Sequence, residues 1–170
     1  MIVNKAYRYR IYPTTEQKMM FAKTFGCVRF IYNKMLSDRI DYYKETGQKL
    51  NNTPAQYKEE FPWLKEVDSL ALANAQLNLN KAYSHFWNDS QHFGKPRFKS
   101  KKNSRASYST NNQKGSVRIE GHKVKLPKVG WVKLCQHRPL PENSIIKTVT
   151  ISKTPSGKYY ISMLVEYENQ

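Results

Sequence analysis

Acidic residues are scarce in this chain: 13 Asp and Glu stand against 29 Lys and Arg in 170 residues, a formal net charge of +16. Cysteine is scarcer still. Cys27 and Cys135 lie far apart and form no C-x-x-C pair, which excludes a disulfide framework and a structural zinc site and fits reduced thiols in a cytoplasmic protein. No stretch comes near the roughly 18 uninterrupted apolar residues of a membrane helix. Met1 to Tyr12 are charged at alternate places without an apolar core, which excludes a secretory signal. His85, His92, His122 and His137 show no H-x-H, H-x-x-x-H or H-E-x-x-H spacing, so a histidine-built metal site is not expected. The acid pairs Glu59–Glu60 and Glu66–Asp68 lack a third acid beside a strand end to hold two metal ions. P-loop, G-x-G-x-x-G and Ser or Cys nucleophile motifs are missing too. The expectation is a binder without membrane segment, metal or cofactor.

The charge that is present is regional. From Lys95 to Lys133 there are twelve Lys and Arg against the single acid Glu120. Within that field, Gly94 to Arg105 reads G-K-P-R-F-K-S-K-K-N-S-R, with six basic residues and no acid. A field of this density points to a polyphosphate partner. An apolar fraction of 39% and 13% aromatics argue for a folded domain over a basic tail. Tyrosine accounts for 12 of those aromatics, and its flat face suits stacking on bases. The stretch from Asn51 to Gly94 carries three basic and five acidic residues, so long-range attraction must come from the rest, including Arg8, Arg10, Arg29, Lys34 and Arg39.

Hydrophobic period organises the chain. Val3, Tyr7, Tyr9 and Ile11 alternate with Arg8 and Arg10, as in a half-buried strand ended by Pro13. Thr14 with Gln17 forms a capping-box pattern, and Phe21, Phe25, Val28, Tyr32, Met35 and Arg39 follow at helical spacing. That pattern predicts a helix to about Glu45 with a break near Gly26. A short helix at Pro54–Phe61 should stop at Phe61-Pro62-Trp63. Leu72, Gln76, Leu79, Tyr83 and Phe86 predict a second long helix from Ser69, with Asn74, Asn78, Lys81 and His85 on its wet side. Strands are then expected at Ser107–Thr110, Val117–Glu120, Lys123–Leu126, Trp131–Leu134, Ile145–Lys153 and Lys158–Tyr167, joined by Gly-containing turns. One strand, a helical block and a run of strands describe an α+β chain, a sheet or barrel with an inserted helical module.

Particular motifs carry a resemblance. K-A-Y-R-Y-R-I-Y-P (Lys5 to Pro13) with T-T-E-Q (Thr14 to Gln17), F-G-C-V-R-F-I-Y-N (Phe25 to Asn33), W-L-K-E-V-D-S (Trp63 to Ser69), G-K-P-R-F-K-S-K-K (Gly94 to Lys102), K-L-P-K-V-G-W-V-K-L (Lys125 to Leu134) and T-I-S-K-T-P-S-G-K-Y-Y-I-S (Thr150 to Ser162) together resemble the N-terminal part of TnpB. That family comprises transposon-encoded, RNA-guided DNA endonucleases related to the type V CRISPR effectors. The resemblance implies a small oligonucleotide-binding-like β-barrel, the wedge domain, interrupted by a helical recognition domain. The wedge would take residues 1–13 and 94–170, and the recognition domain residues 14–93. It implies two partners, a guide RNA and a short motif in double-stranded DNA beside the target; the family's chain continues into a RuvC-like nuclease, and a separate RuvC-containing chain as the source of that part stays open as a third partner. The family's RuvC acids and C-x-x-C zinc element have no counterpart among these residues, so cutting is not expected.

Carried over position by position, the resemblance puts guide RNA on Lys95, Arg97, Lys99, Lys101, Lys102 and Arg105, with Tyr7, Arg8 and Arg10 from the first strand. Phe98 and Trp131 are candidate stacking residues. The DNA motif falls to Asn52, Ser69, Ala73, Asn74, Asn111, Asn112 and Gln113. Asn and Gln can read adenine edges with two hydrogen bonds, whereas Ala73 stands where the family often has Gln and offers none. A DNA-binding regulator that works without RNA, using the first helices as a helix-turn-helix, is the other reading.

Overall fold

The computed structural model describes residues 1–102 and 105–169. Its elements are β1 (Ile2–Tyr12), α1 (Thr15–Thr46), two 3₁₀ turns (Pro54–Tyr57 and Pro62–Glu66), α2 (Ser69–Asn88), β2 (Ala106–Asn111), β3 (Arg118–Glu120), β4 (Lys123–Leu126), β5 (Gly130–Cys135), β6 (Ile145–Lys153) and β7 (Tyr159–Glu168). The chain divides into two compact units, a β unit of residues 1–23 with those from 105 onward, and a helical unit beginning at Thr24.

The β unit is a seven-stranded antiparallel sheet in the order β2-β6-β7-β1-β5-β4-β3, curled into a half-barrel. β1 pairs with β7 over ten registered positions from Ile2↔Glu168 to Ile11↔Tyr159, and with β5 at Arg10↔Cys135, Ile11↔Leu134 and Tyr12↔Lys133. Strict alternation of burial follows from the pleat, which sends successive side chains to opposite faces. Tyr7, Tyr9 and Ile11 of β1 lie with Ile161, Met163 and Val165 of β7, Val149 and Ile151 of β6, and Val132 and Leu134 of β5 in the core. The first turns of α1 contribute Phe21, fully buried, with ring centroids 5.7 Å from Tyr159 and 6.2 Å from Tyr108. Tyr9 donates its hydroxyl proton to the Arg138 carbonyl at 2.7 Å, and burial pushes its pKa upward. Gly157, at φ +89°, closes the β6–β7 hairpin where an L side chain would be strained.

The capping box forms as the Thr14-x-x-Gln17 spacing predicts. The Thr14 amide donates to Gln17 Oε1 at 2.9 Å and the Gln17 amide donates to Thr14 Oγ1 at 3.2 Å. Gln17 Nε2 then donates to the Trp131 carbonyl on β5 at 2.7 Å, fastening the helix start to the sheet.

Two local expectations are corrected. No break occurs at Gly26, because α1 runs unbroken through it. A helical glycine costs only about 1 kcal/mol relative to alanine, which burial of its neighbours Phe25 and Cys27 outweighs. The short helix expected over Pro54–Phe61 is only a 3₁₀ turn over Pro54–Tyr57; it ends before Phe61-Pro62-Trp63 as expected, and Pro62 then opens the second 3₁₀ turn, where its missing N–H is tolerated.

In the helical unit, Ile31, Met35 and Leu36 of α1 and Leu72, Ala75 and Leu79 of α2 share the core with Leu64 and Val67. Asp68 caps α2 by accepting from the Leu70 amide at 3.0 Å. Replacing Gln17 with Ala removes the bond its side chain accepts from the Thr14 amide and the one it donates to Trp131, and leaves its own amide bonded to Thr14, so urea unfolding followed by circular dichroism should read a loss of about 1–2 kcal/mol.

Candidate nucleic-acid interface

The face of the sheet opposite its core carries the chemistry. Register sets Arg10 beside Tyr160, Arg8 beside Ser162, Tyr12 beside Lys133, Lys133 beside Lys123, and Trp131 beside Lys125. The cations lie over rings: the Arg8 guanidinium carbon is 4.0 Å from the Tyr160 centroid, Arg10 is 4.9 Å from Tyr12 and 5.8 Å from Tyr160, and Arg118 is 5.5 Å from Trp131. Lys133 reaches Tyr12 at 6.0 Å. Each such contact contributes about 0.5–1 kcal/mol and orients the cation without neutralising it. Arg10 Nε is buried and, among the described residues, has no hydrogen-bond partner. Toward the β2 edge the face changes to hydroxyls and amides: Ser107, Ser109, Asn111, Thr148, Thr150 and Ser152, with Ser109 Oγ and Thr150 Oγ1 sharing a 2.7 Å hydrogen bond. Acids lie only toward the ends of this face. Glu120 is 3.7 Å from Arg118, Glu166 is 3.9 Å from Lys147, and Glu168 is paired with the amino terminus at 2.7 Å. Tyr12, Tyr160, Lys133 and Arg118 join this face although sequence reasoning passed over them. Only register, which periodicity does not supply, brings them together.

Tyr7 is placed differently from its RNA-binding assignment. It is 6% exposed on the core side, with Arg138 4.5 Å and Lys5 5.5 Å from its ring. The alternation that separates Arg8 from Tyr9 separates it from Tyr7 too.

In the helical unit the connector after Gly94 has no regular secondary structure, yet it is docked. Asn33 of α1 holds Lys99 like a neighbouring strand: its Nδ2 donates to the Lys99 carbonyl and its Oδ1 accepts from the Lys99 amide, both at 2.7 Å. The Lys99 ammonium lies 4.4 Å above the Tyr32 ring, where loss of solvent lowers its pKa. Lys95, Arg97, Phe98, Lys101 and Lys102 are exposed around this anchor. Arg105 is also exposed, on the β-unit side of Asn103 and Ser104, which lie outside the described residues.

The proposed DNA readers divide. Asn52 is 3% exposed and spent inside the helical unit: Nδ2 donates to Tyr57 Oη at 2.8 Å and to the Met35 carbonyl at 3.3 Å, while Oδ1 accepts from Arg39 Nε at 2.7 Å. The structure gives it a packing role in place of a base-reading one. Tyr57 in turn donates to Asp38 at 2.6 Å, and burial first, then this bond, push its pKa up to about 12. Asn112 is committed too. The β6 register slips between Ile146 and Thr148, and Asn112 takes up the carbonyls that slip leaves over: its amide donates to Lys147 at 2.8 Å and its Nδ2 to Ile146 at 2.9 Å, while its Oδ1 accepts from the Val117 amide at 3.0 Å. Asn111 donates to Thr148 Oγ1 at 3.2 Å, and Asn74 donates back to the Leu70 carbonyl at 2.8 Å. Ser69 and Gln113 are exposed and Ala73 is half-buried. No group of three His, Cys, Asp or Glu that could hold a metal occurs among the described residues, and no helix is long and apolar enough to cross a membrane.

Comparison with known proteins fits this geometry. A family described as a helix-turn-helix domain matches residues 1–48. A Streptomyces pristinaespiralis protein is 33% identical over 96% of this chain and 42% of its own length, and Escherichia coli InsQ is 26% identical over 96% and 41%. Both carry the provisional name RNA-guided DNA endonuclease. Virulence protein VsdF of Salmonella dublin is 34% identical over 57% of this chain and 93% of its own length. The α+β half-barrel and the ordered motifs define the class, a wedge-like sheet with a helical insert. The chain belongs to the TnpB family and matches its N-terminal part, spanning less than half the length of the first two relatives. Residues 1–48 hold one strand and the single uninterrupted helix α1, so the two short helices of a helix-turn-helix do not occur there.

Replacing Asn52 with Ala strands the Arg39 and Tyr57 groups it bonds, and should lower unfolding free energy by about 2–3 kcal/mol in urea titrations. Tyr57 has its pKa raised on folding, so the stability it contributes is present below pH 10 and lost as pH rises from there through about 12. Tyr57→Phe should therefore show a shallower loss of stability across that window than the parent chain.

Proposed function

We propose that this chain holds a structured guide RNA on the open face of its half-barrel and on the connector Lys95–Lys102, and contributes to reading a short duplex DNA motif beside the target. The observation that carries the reading is the strip of arginines and lysines laid over Tyr12, Tyr160 and Trp131 on a sheet whose other face is core. Cations oriented by rings suit phosphates, and the rings suit bases. The hydroxyl-rich flank toward β2 suits the ribose 2′-OH. Gln113 and Ser69, exposed, are the amide and hydroxyl available for base edges. DNA cutting would fall to a RuvC-containing part, in the same polypeptide or in a partner chain. An RNA-independent regulator has the helix-turn-helix match in its favour, but α1 alone does not supply that motif's geometry.

Fluorescence anisotropy with a labelled transcript from the transposon end tests the reading, alongside sequencing of RNA that co-purifies with the chain. Affinity should fall steeply between low and moderately high salt, and the paired substitution Arg8→Ala with Arg10→Ala should flatten the log–log salt slope by about one to two. A flat salt response, or host RNA without enrichment of any transcript, would sink the guide-RNA assignment. Tight sequence-specific duplex binding by RNA-free protein would favour the regulator.

A further inference from the structure

A second candidate site lies wholly within the helical unit. It is a cleft of about 810 Å³ between the C-terminal half of α1, the stretch Lys49–Asn51, the second half of α2, and Lys95–Pro96. Among the described residues four cations line it, Arg39, Lys44, Lys49 and Lys95, and no Asp or Glu does. Its aromatic wall is unusually open to solvent: Tyr43 is 51% and Trp87 is 50% exposed, and Tyr83 and Trp87 are stacked with planes 18° apart. Lys49 Nζ lies 5.0 Å over the Trp87 ring, and the Arg39 guanidinium lies 5.8 Å over Tyr83. Arg39 is not loose. Its Nε donates to Asn52 at 2.7 Å and its Nη1 to Asn80 at 2.8 Å, which fixes the fork and leaves the Nη2 donors for an acceptor in the cleft. Along α2, Asn80, Ser84 and Asn88 stand at four-residue spacing, and all three line the cleft. This row is distinct from Asn74, Asn78, Lys81 and His85, none of which lines the cleft.

We propose that this cleft takes one unpaired RNA nucleotide, its base lying on the Tyr83–Trp87 wall and its phosphates against Lys44, Lys49 and Lys95. Charge complementarity selects the occupant: a wall of exposed rings calls for a flat partner, and four cations without an acid call for a polyanion. A protein segment without acids would satisfy the rings and leave the cations uncompensated. Asn52 thereby acquires an indirect part in recognition, as the residue that holds Arg39 in position. The proposal rests on the RNA-binding reading above, narrows it to one site, and adds residues outside the basic connector.

The test uses the chain with a 12-nucleotide oligo(rU) and a matching oligo(dT), both unstructured, read by anisotropy at several salt concentrations. Trp87→Ala should weaken oligo(rU) binding about tenfold with the salt slope unchanged, because stacking releases no counterions, and Trp87→Phe should restore most of it. Lys101→Ala with Lys102→Ala, on the connector, should instead flatten the slope. Ultraviolet cross-linking should place uridine adducts on Tyr43, Tyr83 or Trp87. If Trp87→Ala binds oligo(rU) as the parent does while the connector variant still weakens it, the cleft assignment is overturned and the broader RNA reading survives. A loss confined to oligo(dT) overturns it as well. Absence of any salt-dependent RNA binding by the parent chain overturns both.

Discussion

β1 is the constraint on which the β unit depends. A strand at the start of the chain sits in the middle of the sheet, bonded on one edge to β7 near the other end and on the opposite edge to β5. Neither half of the sheet is complete without it, since among the described residues β5-β4-β3 and β7-β6-β2 share no other hydrogen-bonded neighbour. Pairing of such distant segments closes a long loop, whose entropy grows only slowly with length, so an insert the size of the helical unit adds little to the cost. That tolerance lets one domain be wound around another in sequence while each keeps its own core.

The same pairing sorts the chemistry. Because β1 is flanked on both sides, the pleat fixes two opposed faces without an edge to relax them. Tyr7, Tyr9 and Ile11 enter the core, and Arg8, Arg10 and Tyr12 must emerge together on the other face. Cations so gathered would repel one another if left in water-exposed disorder, and acids placed among them would cancel the field a polyphosphate needs. Aromatic faces solve both problems at once: Tyr160, Tyr12 and Trp131 hold the guanidinium groups of Arg8, Arg10 and Arg118 by the ring quadrupole and leave their charge intact. The face is preorganised in the sense that its charge is positioned before any partner arrives.

Much of this was legible in the sequence, and the parts that were not share a cause. Alternation in β1, the Thr14–Gln17 box, the helical spacing from Ser69 and the Gly-containing turns are local signals, and the elements they predicted formed with bounds shifted by a residue or two. The charge run near Gly94 was local as well. What periodicity could not supply is register. Nothing in Tyr159-Tyr160 says which ring faces the core, and only pairing with Ile11 and Arg10 decides it. Period two assigns Tyr7 to the face of Tyr9, and both are buried there. The cleft beside Trp87 was hidden for a different reason: its cations come from α1, the following loop and the connector, and no single stretch displays them together.

Asparagine teaches the sharper lesson. Asn33, Asn52 and Asn112 all carry the donor and acceptor pair that suits an adenine edge, and in this fold all three are committed within the chain, to hold the connector, to fix Arg39, and to satisfy a β-bulge. A buried backbone carbonyl or amide without a partner costs about 1–3 kcal/mol, and asparagine is the shortest side chain that carries its donor and its acceptor on separate atoms. The same chemistry that makes an Asn a plausible base reader thus makes it the natural repair for irregular backbone. Composition cannot separate the two uses. Hydrogen-bond partners can, and under the proposed function they leave the arginines, lysines and aromatic rings of the open sheet face as the groups for a nucleic acid.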